Sequence, residues 1–260
     1  MAFVAGLCLA PATAPATWSI VAVDPETHEV GAAGASCIGG AAVIAALVPG
    51  RGVIVAQAFV NFAGRRVGAQ MLAQGATPQE VIARLATARF DWLGFLPFYQ
   101  LRQYGVAALA RDGQAAAFTG SWTRGYQGDA QDRGVSAQGN TLRSELVVTD
   151  TLRAFQAVQA PGRLADRLLA GLEAGAAQGG DVRCSAEQTA LSAFLMVACP
   201  CDADTKPSLH LVTDNQVMGG ANPVTLLRAQ YSEWQRTHPA ACPGCPVLQS
   251  PDAGSGSAYQ

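Results

Sequence analysis

The chain has 260 residues, 50% of them hydrophobic and 14% charged, with a formal net charge of -2; this suits one domain with a full core and excludes a disordered or fibrous chain. No stretch gathers Lys and Arg, so nothing supports binding to nucleic acid or to an acidic membrane surface, and small polar or neutral substrates are the default. No apolar run approaches the roughly 18 to 20 residues that span a bilayer.

Residues 2–10, AFVAGLCLA, are apolar, and Ala14-Pro15-Ala16 places an A-x-A site directly before Thr17. This reads as a signal peptide or short propeptide over 1–16, although no Lys or Arg precedes the apolar run. Export is therefore expected, to the periplasm or beyond. Losing the leader removes Cys8 and leaves Cys37, Cys184, Cys199, Cys201, Cys242 and Cys245, an even number that suits a disulfide framework. The last four, in CPC and CPGC, also have the spacing of a zinc site, and Cys37 and Cys184 also read as two buried free thiols; export favours disulfides.

Residues 17–23, TWSIVAV, and 29–36 form an opening hairpin around the turn Asp24-Pro25-Glu26-Thr27-His28. Gly31 and Gly34 leave the second strand so slight that a backbone or a ligand can approach it closely. Residues 52–60 are a buried strand. A helix over about 63–74 ends at Gly75, and a second begins after Thr77, with Pro78 and Glu80 completing a capping box. The segment 90–100, FDWLGFLPFYQ, is an aromatic loop, a pocket wall or lid.

Strands at 103–110 and 114–119 flank an Arg111-Asp112-Gly113 hairpin signal. A strand near 134–138 leads into Gln138-Gly139-Asn140. Helices follow at about 144–158 and 163–176, then strands at about 190–198 and 208–213, and an amphipathic helix from Pro223 to about Arg236. The main domain thus runs over 17–238, and the Cys- and Pro-containing tail 239–260 ends with the composition of a disordered terminus. Strands alternating with helix pairs predict an α+β fold, a four-layer αββα sandwich of two antiparallel sheets.

Ordinary catalytic sets are absent. His28, His210 and His238 have no evident Ser or Cys partner, no G-x-S-x-G or H-E-x-x-H occurs, and the acids Asp24, Glu26, Glu29, Asp112 and Asp132 sit in turns. A threonine freed at the N-terminus needs no such partner. Its α-amine, with a reference pKa of about 7.7 to 8.0, is a base on the same residue as its hydroxyl.

The segments TWSIVAVDPETHEVGAAGASC, GRGVIVAQAFVN, LRQYGVAALARDGQAAAFTG, SAQGN and AGAAQGGDVRCS, over about Thr17 to Val197, resemble the family known as domain of unknown function 1028. That family is similar to N-terminal-nucleophile hydrolases, whose fold the resemblance implies. It implies Thr17 as nucleophile and α-amine base, Ser36 near the amine, Gln57 and Asn61 in the substrate pocket, and Gly139 or Asn140 in an oxyanion hole. Gly139-Asn140 also reads as a plain turn. Many members carry Lys where this chain has Cys37, and its only Lys is Lys206. An exported subset with S-C and D-x-R-C, matching Ser36-Cys37 and Asp181 to Cys184, implies a Cys37–Cys184 disulfide.

The expectation is an exported amide hydrolase acting on a peptide or small N-acyl compound through an acyl-Thr17 ester, with no cofactor and no metal. The alternative is a non-catalytic exported binding or structural module of the same fold. Homo-oligomers are common among such folds, but no residue fixes a number.

Overall fold

The β-branched and aromatic segment Thr17–Val23 forms β1, pairing antiparallel with β2 (Val30–Ser36) as the hairpin pattern predicts. In this computed structural model the described residues are 17–91, 97–109, 113–123, 125–158 and 162–238, with Cys242 and Cys245. The leader, residues 92–96 of the aromatic loop, Arg111 and Asp112 of the hairpin, and the tail beyond Cys245 lie outside them.

The remaining strands are β3 (Ala45–Val48), β4 (Gly52–Ala58), β5 (Arg102–Ala108), β6 (Gln114–Thr119), β7 (Tyr126–Asp132), β8 (Val135–Leu142), β9 (Ser192–Ala198) and β10 (Leu209–Thr213). They make two antiparallel sheets, ordered β10-β9-β2-β1-β8-β7 and β3-β4-β5-β6. Helices α1 (Phe62–Ala73) and α2 (Pro78–Leu85) contact the four-stranded sheet. Helices α3 (Leu146–Ala157), α4 (Leu164–Ala177) and α5 (Pro223–Thr237) contact the six-stranded one. The chain is therefore α+β, with two antiparallel sheets and five α-helices among the described residues.

Strand periodicity sorts the core. Ile20 and Ala22 of β1 join Leu168, Leu169 and Leu172 of α4, whereas Val21 and Val23 join Val30, Val53, Val55 and Ala107 in an apolar cluster between the sheets. A third cluster packs Ile54, Tyr104 and Val106 against Leu72, Val81 and Leu85 of α1 and α2. The close approach expected over β2 comes from the chain's own side chains: a Cβ on Gly31 would lie 2.6 Å from Leu168 Cδ1.

The capping box of α2 forms as expected, with Glu80 N–H donating to Thr77 Oγ1 and Thr77 N–H to the Glu80 carboxylate. Two strands lie outside the sequence expectation. Tyr126–Asp132, YQGDAQD, is an exposed edge strand without apolar alternation, and Ala45–Val48 is four residues long, so neither carries a periodic signal. Gln138-Gly139-Asn140 is no turn: all three lie inside β8. Of the aromatic loop, Phe98–Leu101 is a 3-10 turn and Asp91 is buried in an ion pair with Arg102.

Cys199 pairs with Cys242 and Cys201 with Cys245, clipping the segment before β10 to the chain beyond α5. The zinc alternative is thereby corrected. Each of these sulfurs is bonded to another, so none is left as the thiolate a zinc ion requires.

Candidate active site at the start of the first strand

Alternate residues of a strand share a face, so Thr17 and Ser19 point the same way as Val21 and Val23, into the space between the sheets. The facing strands follow the same rule: Val53 and Val55 precede Gln57, Ala107 and Gly105 lead back to Gln103, and Ser136 leads to Gln138 and Asn140. One end of the inter-sheet space is therefore apolar and the other is lined by Thr17, Ser19, Ser36, Gln57, Gln103, Gln138 and Asn140, none more than 2% exposed. Buried amides are costly unless paired, at about 1 to 3 kcal/mol for each group left unsatisfied.

Here all but Asn140 Oδ1 are paired. Gln57 Nε2 donates to Thr17 O at 3.1 Å and to Gln103 Oε1 at 2.8 Å, while Gln57 Oε1 accepts from Ser19 Oγ at 2.6 Å. Gln103 Nε2 donates to Gly139 O at 2.8 Å and to Thr119 Oγ1 at 2.9 Å. Gln138 Nε2 donates to Ser19 Oγ at 2.7 Å, and its Oε1 accepts from Ser136 Oγ at 2.8 Å. Gly105 makes room for this layer, because a Cβ there would lie 2.1 Å from Gln138 Oε1. Gly105→Ala is expected to displace the amide and cost about 2 to 4 kcal/mol, as overpacking plus broken hydrogen bonds, read as a lower urea midpoint at unchanged m.

Thr17 Oγ1 donates to Ser36 Oγ at 3.3 Å, which brings together the proposed nucleophile and the serine expected beside it. Asn140 stands opposite Thr17 in the β1–β8 register and so shares its face. Gln103 directs its Nε2 at backbone carbonyls, so its Oε1 must face Asn140, which donates to it from Nδ2 at 3.0 Å. Asn140 Oδ1 then points away, buried and without a hydrogen-bond partner among the described residues. Asn140 thus offers an acceptor at the site through Oδ1, while its Nδ2 carries a second N–H besides the one given to Gln103.

Gly139 lies within the β1–β8 ladder opposite Trp18, with its carbonyl bound by Gln103. Asn61 caps α1 by accepting from Gly64 N–H at 2.8 Å, a role that accounts for it without a ligand. Burial pushes the Tyr104 phenol, near Asn61, up to about 12, so it stays neutral and offers no base. Two non-glycine residues adopt left-handed backbone at the rim: Ala58 (φ 63°) directly after Gln57, and Thr141 (φ 54°) directly after Asn140. Such strain, about 1 to 3 kcal/mol each, clusters at functional sites.

The chain's lack of Lys at this end is met by residues that the motif D-x-R-C contained but sequence reasoning gave no role. Cys37 and Cys184 form a disulfide, as the resemblance implied, and the free-thiol alternative falls. Asp181, fully buried, accepts from Cys37 N–H at 2.7 Å, and from Arg183 through Nε at 3.1 Å and Nη2 at 2.7 Å. The same Nη2 lies 3.5 Å from Ser36 Oγ. A cation is thus clamped one serine away from Thr17.

Two cavities among the described residues lie away from this site. One of about 500 Å³ sits between β3 and α1, lined by Leu47, Phe62, Arg65 and Arg66, and one of about 380 Å³ lies by Glu173, Asn222 and Arg228. Neither is lined by Thr17, Ser36 or Asn140. The first is walled mostly by alanine and aliphatic side chains, and Arg65 is spent on the carbonyls of Val43 and Ala45, so convergent polar groups, not volume, single out the Thr17 end.

No curated protein matches the sequence. The crystal structure of protein SPO2555 from Silicibacter pomeroyi, of family DUF1028, is similar at a TM-score of 0.68 and 26% identity, over 85% of this chain and 89% of that one. The model of the family of unknown function DUF1028 matches residues 17–224. Its first matched residue is Thr17, where the polar layer between the sheets begins, and the chain belongs to this family.

Proposed function

We propose that the mature chain is an exported N-terminal-nucleophile amide hydrolase in which Thr17 is nucleophile and base. The order of contacts, helices α3 to α5, six-stranded sheet, four-stranded sheet, helices α1 and α2, supports the four-layer αββα sandwich of such enzymes. Three disulfides fit an exported chain, and no helix among the described residues is long and apolar enough to cross a membrane.

The observation behind the reading is the hydrogen bond from Thr17 Oγ1 to Ser36 together with the unpartnered Asn140 Oδ1 on the strand opposite. Cutting the Ala16–Thr17 bond creates an amine between strands, and a buried amine requires acceptors. Asn140 Oδ1, opposite Thr17 and without a partner, is such an acceptor. The neutral amine takes the Thr17 hydroxyl proton, Oγ1 adds to the substrate carbonyl, and the leaving amine departs with that proton, giving an acyl-Thr17 ester. Water then gives a proton to the same amine as its oxygen adds to the acyl carbon; the Oγ1–acyl bond breaks, Oγ1 takes that proton back, and the acid leaves. Neither step draws on a metal or cofactor. Ile38, Phe59 and Val182, exposed chain neighbours of the site, and Met218, whose sulfur lies 4.0 Å from Cys37 Sγ, favour an apolar acyl group on a peptide or small N-acyl substrate.

The test is the mature N-terminus and its reactivity. Edman sequencing is expected to begin at Thr17, and an alkyl β-lactone, an acylating electrophile, is expected to leave its adduct on Thr17 alone in peptide mapping. Any other start, or an adduct spread over surface serines, overturns the reading. The second reading, a non-catalytic module, draws on the burial of Thr17 at 2% exposed; it is favoured by a Thr17 start with no adduct.

A further inference from the structure

We propose that Arg183 is the positioning residue of this site: it fixes Ser36 as the hydrogen-bonding partner of Thr17 and supplies the positive charge nearest the nucleophile. The inference rests on the nucleophile reading and adds a residue to it. A guanidinium pinned at two nitrogens by a fully buried carboxylate cannot swing, and Asp181 holds Arg183 in this way while also gripping the backbone of Cys37, next to Ser36. The Cys37–Cys184 disulfide ties the residue after Ser36 to the residue after Arg183. Both ends of the contact between Arg183 Nη2 and Ser36 Oγ, 3.5 Å long, are thus anchored twice.

The chemistry follows from what Ser36 can do. In the resting site its oxygen accepts from Thr17 Oγ1. When the amine removes that proton, Ser36 must turn its own hydrogen towards the developing alkoxide while its oxygen keeps a donor. Arg183 is that donor, so the serine turns without moving. Other charges facing this end are Arg143, whose Nη2 donates to Cys184 O at 3.2 Å, and Arg102, paired with Asp91 at 3.1 Å on the opposite sheet. Of these three, Arg183 touches the serine.

The experiment follows β-lactone acylation of mature Thr17 by intact mass across pH, in wild type, Arg183→Gln and Arg183→Lys. Arg183→Gln is expected to slow acylation about tenfold at neutral pH. Its acid midpoint should move up by about half a pH unit or more, because losing the cation and leaving Asp181 uncompensated both favour the ammonium. Arg183→Lys keeps the charge without the fork, so a wild-type midpoint is expected at a rate within about threefold. Wild-type rate and midpoint in Arg183→Gln, or equal slowing in both variants with no shift in midpoint, overturns the proposal. If Arg183→Gln does not fold, Arg183→Lys decides: acylation slowed by about two- to threefold at a wild-type midpoint supports the assignment, and a wild-type rate or an upward midpoint overturns it. Absence of an adduct on wild-type Thr17 overturns the nucleophile reading, and this one with it; an adduct indifferent to Arg183 overturns this one alone.

Discussion

Thr17→Ala is expected to abolish acylation of the mature chain and any amide turnover, by about 10³-fold or more, while the protein stays folded. The large figure follows from removing nucleophile chemistry and leaving only binding and the surrounding dipoles. The small structural effect follows from the contacts: Thr17 Oγ1 makes one hydrogen bond, to Ser36, worth about 1 kcal/mol, and the main-chain ladder to β2 and β8 is unchanged. Thr17→Ser keeps hydroxyl and amine but loses the methyl that restricts χ1, so about a tenth of the wild-type rate is expected. In wild type the rate should rise with pH as the ammonium, of reference pKa about 7.7 to 8.0, becomes a base. Time-resolved intact mass reads all three. An adduct formed on Thr17→Ala at the wild-type rate would falsify the mechanism.

Much of the architecture was legible because it is local. TWSIVAV, the Thr77-Pro78-Glu80 start of α2 and the Pro223 start of α5 each carry their signal within one or two turns of chain, and each element forms as expected. β7 was illegible because an exposed edge strand needs no apolar face, and its polar residues are held by the neighbouring strand. The site was half legible. Thr17 and Ser36 follow from the leader junction and the resemblance, but Gln103 and Gln138 reach their roles only when the four-stranded and six-stranded sheets meet face to face. A signal was nevertheless present: Ser19, Gln57 and Gln103 each interrupt a buried and largely apolar strand, and Gln138 lies in a buried strand in step with Ser136 and Asn140. Arg183 carried none, since its partner Ser36 is 147 residues away.

Cys37→Ala/Cys184→Ala is expected to destabilise the chain by about 2 to 5 kcal/mol and to slow Thr17 acylation, whereas Cys201→Ala/Cys245→Ala should cost less and leave acylation unchanged. The first bridge closes 147 residues of sequence that no other bridge constrains. The third spans 44, and the Cys199–Cys242 bridge beside it already closes nearly the same loop, leaving only the short ring between the two bridges. In the chain-entropy model the loop-length term alone favours the first by roughly 2 to 3 kcal/mol. The effect on acylation has a separate origin: without the bridge, the tie between Ser36 and Arg183 loses one of its anchors and leans on Asp181 and on their own long contact. Urea unfolding gives the stabilities and intact mass the rates. A loss of stability equal in the two double variants would refute the loop argument, and an undiminished acylation rate without Cys37 and Cys184 would show that Asp181 alone holds the site.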